Sequence, residues 1–211
     1  MNPIERYISI QKAAEAELSF KKSRFIACLL PVQTEPDFQR ALERVRERWP
    51  KATHYCYAVI TEGGRYEKMS DDGEPSGTAG RPILDVLRGS GLINAALIVV
   101  RYFGGTLLGT GGLVRAYSDT AKEVLKTAER VSMTPAAELK VRLDYSYYNQ
   151  FESKCRAKLI GETEIQFLEQ VEILLHVPLE EKDALTALLK QITARTVQIE
   201  ERENQLIPLP L

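Results

Sequence analysis

Residues 95–102 read Ala-Ala-Leu-Ile-Val-Val-Arg-Tyr, with no polar side chain before Arg101. Strict alternation would mark a strand with one wet face, whereas a continuous apolar run of this length marks a strand in the middle of a sheet. The run is far shorter than the ~20 residues a bilayer crossing needs. A chain organised around such a strand must supply neighbours to both of its edges.

The neighbouring segments supply them. Ala16 to Pro31 reads as two strands broken at Lys21-Lys-Ser23, and Thr34 caps a helix running through Phe38, Ala41, Leu42 and Val45 until Trp49-Pro50 stops it. Tyr55–Thr61, a Gly63-Gly64 turn and Arg65–Ser70 form a hairpin. A short helix follows over Arg81–Arg88, with Pro82 tolerated in its first turn. Leu113 to Ala128 carries apolar groups at Leu113, Ala116, Tyr117, Ala121, Val124, Leu125 and Ala128, the spacing of one buried helix face. These segments make an α+β unit.

Pro135 sets the domain boundary, because it lacks an N–H and drives Thr134 out of helical geometry. The first domain is taken as residues 1–135 and the second as 136–211. Beyond the boundary come a strand at Leu139–Leu143, a helix from Tyr148 to Ile160 ended by Gly161, strands at Glu164–Leu168 and Val171–Val177, a helix from Leu179 to Ile192 and a strand at Thr196–Glu200. Strand–helix–strand–strand–helix–strand is the split βαβ, or ferredoxin-like, order with both helices on one face.

Lys plus Arg total 28 against 29 Asp plus Glu, so no whole-chain field announces a polyanionic partner. Residues 1–135 hold 19 basic and 16 acidic groups and residues 136–211 hold 9 and 13, giving +3 and −4. Cys28, Cys56 and Cys155 are too few and too scattered for a disulfide framework. The start, residues 1–11, has neither a basic stretch nor an apolar block of a secretion signal, and the expectation is a cytoplasmic protein without a membrane partner.

Ten of the 13 glycines lie within residues 70–117, in two loops on either side of the apolar strand. The first loop, Ser70 to Pro82, gathers Asp71, Asp72 and Glu74, which could serve magnesium or acid–base chemistry but which turn chemistry explains equally. The second carries Gly104, Gly105, Gly109, Gly111 and Gly112 into the Leu113 helix, and exposed N–H groups there suit phosphate. No Gly-Lys-Ser/Thr follows, and the dinucleotide fingerprint is absent. Between Met69 and Lys122 the basic residues are Arg81, Arg88, Arg101 and Arg115 alone. Arginine grips phosphate by two-point contacts and also forms buried ion pairs, so both uses stay open. His54 and Cys56, two apart on a strand, share a face, as a nucleophile pair requires and as ordinary packing also produces. No metal site, cofactor or catalytic constellation is assigned.

At Lys22-Ser-Arg-Phe25, Thr53-His-Tyr-Cys56, Ser70 to Pro82 and Val100-Arg-Tyr-Phe-Gly-Gly-Thr-Leu-Leu-Gly109 the sequence resembles the YigZ/IMPACT family. The resemblance implies a first domain like the second domain of small-subunit ribosomal protein five. It also implies a ferredoxin-like second domain resembling domain five of elongation factor G. Eukaryotic members are translational regulators that bind an activator of the starvation kinase through an extra amino-terminal domain; here the matching residues begin almost at the start, so that partner is not carried over. The family offers no catalytic residues to transfer, and fold alone confers no function. The expectation is a non-catalytic protein that acts in translation regulation through RNA or the ribosome, with Arg81, Arg101, Arg115 and the second loop's glycines as contacts. A phosphate- or nucleotide-binding enzyme and a module that docks on a regulatory protein remain as alternatives.

Overall fold

The computed structural model describes residues 5–211, and the segment read for a secretion signal, residues 1–11, lies partly outside the described residues. The chain divides into two compact units, one of Tyr7–Val131 and one of Ser132–Leu211 together with the described residues Glu5 and Arg6. In the first unit the elements are β1 (Tyr7–Ile10), β2 (Ala14–Phe20), β3 (Ser23–Pro31), α1 (Glu35–Arg48), β4 (His54–Thr61), β5 (Tyr66–Ser70), α2 (Gly80–Ser90), β6 (Ala95–Tyr102) and α3 (Thr110–Thr127).

β6 lies at the middle of a five-stranded antiparallel sheet of order β2-β3-β6-β4-β5. Its alternate residues serve two cores. Leu97 and Val99 pack with Ile83 and Leu87 of α2 and Tyr117 and Ala121 of α3. Ala96, Ile98 and Val100 pack on the other face with Phe38, Leu42 and Val45 of α1. The uniform apolar run is therefore the signature of a three-layer arrangement, in which burial of each Leu, Ile or Val contributes about 1.5–3 kcal/mol.

Local chemistry sets the joints. Lys21 and Lys22 hold φ of 43° and 70°, the left-handed pair that closes the β2–β3 hairpin. Thr34 caps α1 reciprocally with Asp37, and the chain leaves the helix at Trp49. α3 begins at Thr110, so Gly111 and Gly112 belong to its first turn rather than to the preceding loop. The apolar periodicity locates the buried face from Leu113 onward, and glycine's weak helix propensity hides the turn before it. β1, a short strand whose Ile8 carbonyl accepts the Ile93 N–H, carries too little pattern to be read.

The second unit is built on β7 (Arg130–Leu143), which begins just before it, then α4 (Tyr145–Cys155), β8 (Ile160–Phe167), β9 (Val171–Pro178), α5 (Lys182–Ile192), β10 (Gln198–Glu201) and β11 (Gln205–Pro210). Its antiparallel order β10-β7-β9-β8 is the ferredoxin-like arrangement, and β11 also pairs with β7. Phe151, Cys155, Leu185 and Leu189 of the two helices bury one face of the sheet against Leu139, Val141, Ile173 and Leu175. Pro135 does not interrupt an element: β7 runs through it, and the β7–β9 ladder starts only at Ala136, so no bond to β9 needs the missing N–H. The helix expected to reach Ile160 ends at Cys155, followed by a 3₁₀ turn at Arg156–Lys158. Ile160 opens β8 instead, and Gly161, at φ 66°, sits in a ladder irregularity inside that strand. Among the described residues no helix is long and apolar enough to cross a membrane.

The tightest backbone approach at a glycine is at Gly104. A Cβ on Gly104 would lie 2.1 Å from the Lys22 carbonyl carbon, whereas one on Gly111 would meet nothing within 4 Å. Gly104→Ala should therefore cost about 1–3 kcal/mol or more through forced backbone displacement. Gly111→Ala should stabilise by up to roughly 1 kcal/mol. Urea unfolding of the two variants checks the contrast, which equal effects would contradict.

Candidate functional site

The sheet register builds the site. Arg101 stands near the end of β6, opposite Phe25 of β3 on one side and His54 of β4 on the other, so the three share a transverse row. In the next same-face row Val99 stands opposite Ala27 and Cys56. All lie on the face covered by α3, which lowers Tyr117 onto them.

The first glycine-rich loop brings a carboxylate to this row. Asp71 folds the loop by accepting N–H groups of Gly77, Ala79 and Gly80 at 2.8, 2.9 and 2.8 Å. Burial by itself would raise the Asp71 carboxyl, but the three backbone donors together hold it below the ordinary carboxylate range. Gly80 is required because a Cβ there would lie 2.8 Å from the Ser70 carbonyl. Asp72 accepts the Tyr55 N–H at 2.7 Å. With both aspartates occupied by the backbone, Glu74 turns inward.

Glu74 Oε1 accepts from Arg101 Nη1 at 2.5 Å and from the Tyr117 hydroxyl at 2.8 Å, and these side chains are among the most deeply buried polar groups of the unit. The Arg101 guanidinium lies 5.3 Å from the Phe25 ring centroid and 5.4 Å from that of Phe103, which adds cation–π attraction. The Cys56 thiol donates to the Asp71 carbonyl at 3.0 Å and approaches the Tyr117 hydroxyl at 3.3 Å. Burial pushes that thiol up to about 12, so it is no thiolate nucleophile near neutrality. The His54 ring holds Nδ1 2.7 Å from the Asp72 carbonyl, which calls for a proton on Nδ1, while Nε2 stands 3.8 Å from Glu74. One atom of the network is left over: Arg101 Nε is buried with no acceptor.

A cavity of about 360 Å³ opens over the network, bounded by His54, Glu74, Arg101 and, from the second glycine-rich loop, Phe103, Leu107 and Thr110.

The sequence and the fold are similar to those of known proteins. Residues 21–125 match the Impact N-terminal domain, and residues 141–194 match a domain of unknown function (DUF1949). The IMPACT family member YvyE of Bacillus subtilis is 35% identical over 201 residues, covering 95% of this chain and 93% of that protein. The chain belongs to the IMPACT family. The family member YigZ of Escherichia coli is 38% identical over 67% of this chain and 72% of its own length. A solved structure described as that of a hypothetical protein superposes with a TM-score of 0.63 at 29% identity, covering 95% of this chain and 98% of the other.

The residues singled out from sequence do not form one site. His54, Cys56, Asp71, Asp72, Glu74 and Arg101 converge at the network. Arg81 is exposed and paired with Asp85 on α2, and Arg115 is paired with Asp119 on α3, each at i,i+4 spacing. Gly105 and Gly109 supply left-handed turns at φ 82° and 76°, and Gly104 lets the loop pass against Lys22. Among the described residues no group of three His, Cys, Asp or Glu side chains is placed to share a metal, since Asp71, Asp72 and Glu74 point to separate partners.

Two features escape sequence reasoning. Tyr117 reads as one more apolar-face residue of α3, although a tyrosine there implies a partner for its hydroxyl. Lys21 and Lys22 read only as a break between two strands and Lys51 carries no signal, yet their loops meet at the same end of β6: Gly104 N–H donates to Ser23 Oγ at 3.1 Å, and the Tyr102 hydroxyl donates to the Pro50 carbonyl at 3.0 Å.

Arg101→Met leaves Glu74 buried without its countercharge and should cost about 3–5 kcal/mol, most of it restored by adding Glu74→Leu. Urea melts of the single and double variants measure both, and a double variant no better than the single would refute a charge-pair origin. The raised thiol gives a pH signature: Cys56 keeps its proton in the folded state above its ordinary value of 9.0, while the unfolded chain releases it. Its contribution is complete below pH 9 and declines as pH rises toward about 12. Wild-type stability should therefore fall more steeply over that window than that of Cys56→Ala.

Proposed function

We propose that this IMPACT-family protein acts in translation by binding RNA or the ribosome, and that the contact is the basic, aromatic edge of the first unit where the β2–β3 turn, the α1–β4 loop and the end of β6 meet. The observation that carries the reading is the composition of that edge. Lys21, Lys22 and Lys51 are exposed and form no ion pair among the described residues. Beside them Arg24 lies over the Tyr102 ring at 5.5 Å, Arg46 over Tyr55 at 5.3 Å and Arg48 over Trp49 at 5.4 Å. Cations interleaved with half-buried aromatic rings provide phosphate attraction together with planes on which unstacked bases can lie. Glu17, Asp72 and Glu15 partner the three arginines, so the unpaired lysines carry the net positive charge of the edge.

The i,i+4 partners of Arg81 and Arg115 make these two weaker candidates for phosphate than the lysines. Arg101, inside the ion pair, contributes through the shape of the β6 end and not as an exposed charge.

Co-sedimentation with ribosomes across a salt series tests the proposal. Association should fall steeply with salt, and Lys21→Gln/Lys22→Gln/Lys51→Gln should lower the logarithmic salt slope by about 2–3 units. Arg81→Gln/Arg115→Gln should leave it nearly unchanged. Salt-independent association, or a triple-lysine variant with the wild-type slope, would overturn the reading.

A further inference from the structure

We propose that the cleft between α2 and α3 of the first unit docks an acidic amphipathic helix of a partner protein. Nothing in this inference depends on RNA binding, and the cleft shares no residue with the basic edge.

The apolar part follows from how the two helices meet. Each turns one face to the sheet, where Ile83, Leu87, Tyr117 and Ala121 are buried in the core. Their apolar residues do not stop there. Pro82 and Val86 of α2 and Val114 and Leu125 of α3 line an open cleft of about 700 Å³, and Val114 is left 39% exposed. One exposed valine is ordinary, but four apolar residues gathered along a cleft make a surface that a partner can cover.

Gly89 supplies an independent indication. It stands in the last turn of α2, where Gly91 and not Gly89 provides the left-handed cap at φ 71°. A Cβ on Gly89 would meet nothing within 4 Å. Glycine is the weakest helix former after proline, so the fold itself has no use for it at this place. Its effect is to leave bare backbone on the wall of the cleft, where a partner can approach more closely than any side chain would allow.

Charge selects the occupant. Arg81, Lys122 and Arg130 line the cleft against one carboxylate, Asp85, which is taken by Arg81. Lys122 and Arg130 form no ion pair among the described residues, and Arg130 is held at the end of α2 by donating to the Ser90 carbonyl at 3.3 Å. The occupant must therefore be apolar on one side and acidic beside it. No aromatic ring is among the lining residues, so the cleft lacks the planes on which single-stranded nucleic acid stacks. A cleft with apolar walls suits a helix that lays its apolar face inward, with its carboxylates meeting Lys122 and Arg130.

The test selects peptides of about 15 residues, long enough to be helical, from a random library displayed on phage against the full chain, and then measures their affinities in solution. Enriched sequences should combine aspartate or glutamate with apolar residues at helical spacing. Gly89→Leu fills the cleft with a good helix former, and should weaken these peptides about tenfold or more without lowering the melting temperature. Lys122→Glu/Arg130→Glu should weaken them at least as much at low salt, with the difference from wild type shrinking as salt rises. Lys21→Gln/Lys22→Gln/Lys51→Gln should leave their affinities unchanged, so failure here and failure of ribosome association are separately visible. The proposal is overturned if no peptide is enriched, if the enriched peptides are not acidic, or if they bind both cleft variants as they bind wild type. Oligouridylate that binds wild type and is lost in both cleft variants would overturn it in favour of nucleic acid. A wild-type dimer that Gly89→Leu dissociates in sedimentation would overturn it in favour of a second copy of the chain.

Discussion

The first unit is arranged around one buried charge pair, Arg101 with Glu74. Burying two ions is costly, and their attraction repays the cost only when further hydrogen bonds satisfy the remaining valences. The surrounding structure supplies most of them. Asp71 organises the loop that turns Glu74 inward, Gly80 lets that loop lie against the Ser70 backbone, α3 delivers the Tyr117 hydroxyl, and Phe25 and Phe103 flank the guanidinium. Both glycine-rich loops are thus consequences of closing a charged network at the end of a sheet that is otherwise apolar on both faces. Such a network specifies geometry more than it adds stability, since each member has one arrangement in which it is satisfied.

How much of this was legible in the sequence depends on which residues carried a local signal. β6 and α1 were readable because an unbroken apolar run and a Thr34 cap each encode a single local outcome. Pro135 says less, because whether it breaks an element depends on whether a neighbouring strand needs its N–H, and that is decided by register. Leu159 and Ile160 extended the apolar spacing of α4 although Ile160 belongs to β8; a short apolar stretch does not distinguish the end of a helix from the start of a strand. Glu74 was visible as one of three acidic groups in a loop, but nothing in the sequence says which of them turns inward. That choice is made by Asp71 and Asp72, whose carboxylates are consumed by backbone donors on both sides.

The arginine-only stretch shows the same limit. Residue type suggested a shared phosphate-gripping role for Arg81, Arg101 and Arg115, but the fold distributes them among two exposed helix pairs and one interior pair. The lysines fall where ion pairing is hardest to arrange, at a left-handed hairpin turn and in the loop after α1. Side chains on such turns have no i,i+4 neighbour to neutralise them, so a positive edge arises without any run of basic residues in the sequence.

The strand itself keeps the buried network and the basic edge apart. Arg101 and Tyr102 are consecutive in β6, so the pleat sends their side chains to opposite faces, Arg101 toward α3 and Tyr102 toward the α1 side. Tyr102 carries Arg24 on its ring and binds the Pro50 carbonyl, which ties it to the lysine-bearing loops. Arg101 is tied to Glu74 and the cavity. A substitution at either residue acts mainly on its own face, and Phe103 and Gly104, which follow directly, are the segment through which a change on one face could reach the other. The close passage of Gly104 against Lys22 makes that connection stiff, because no side chain there can yield.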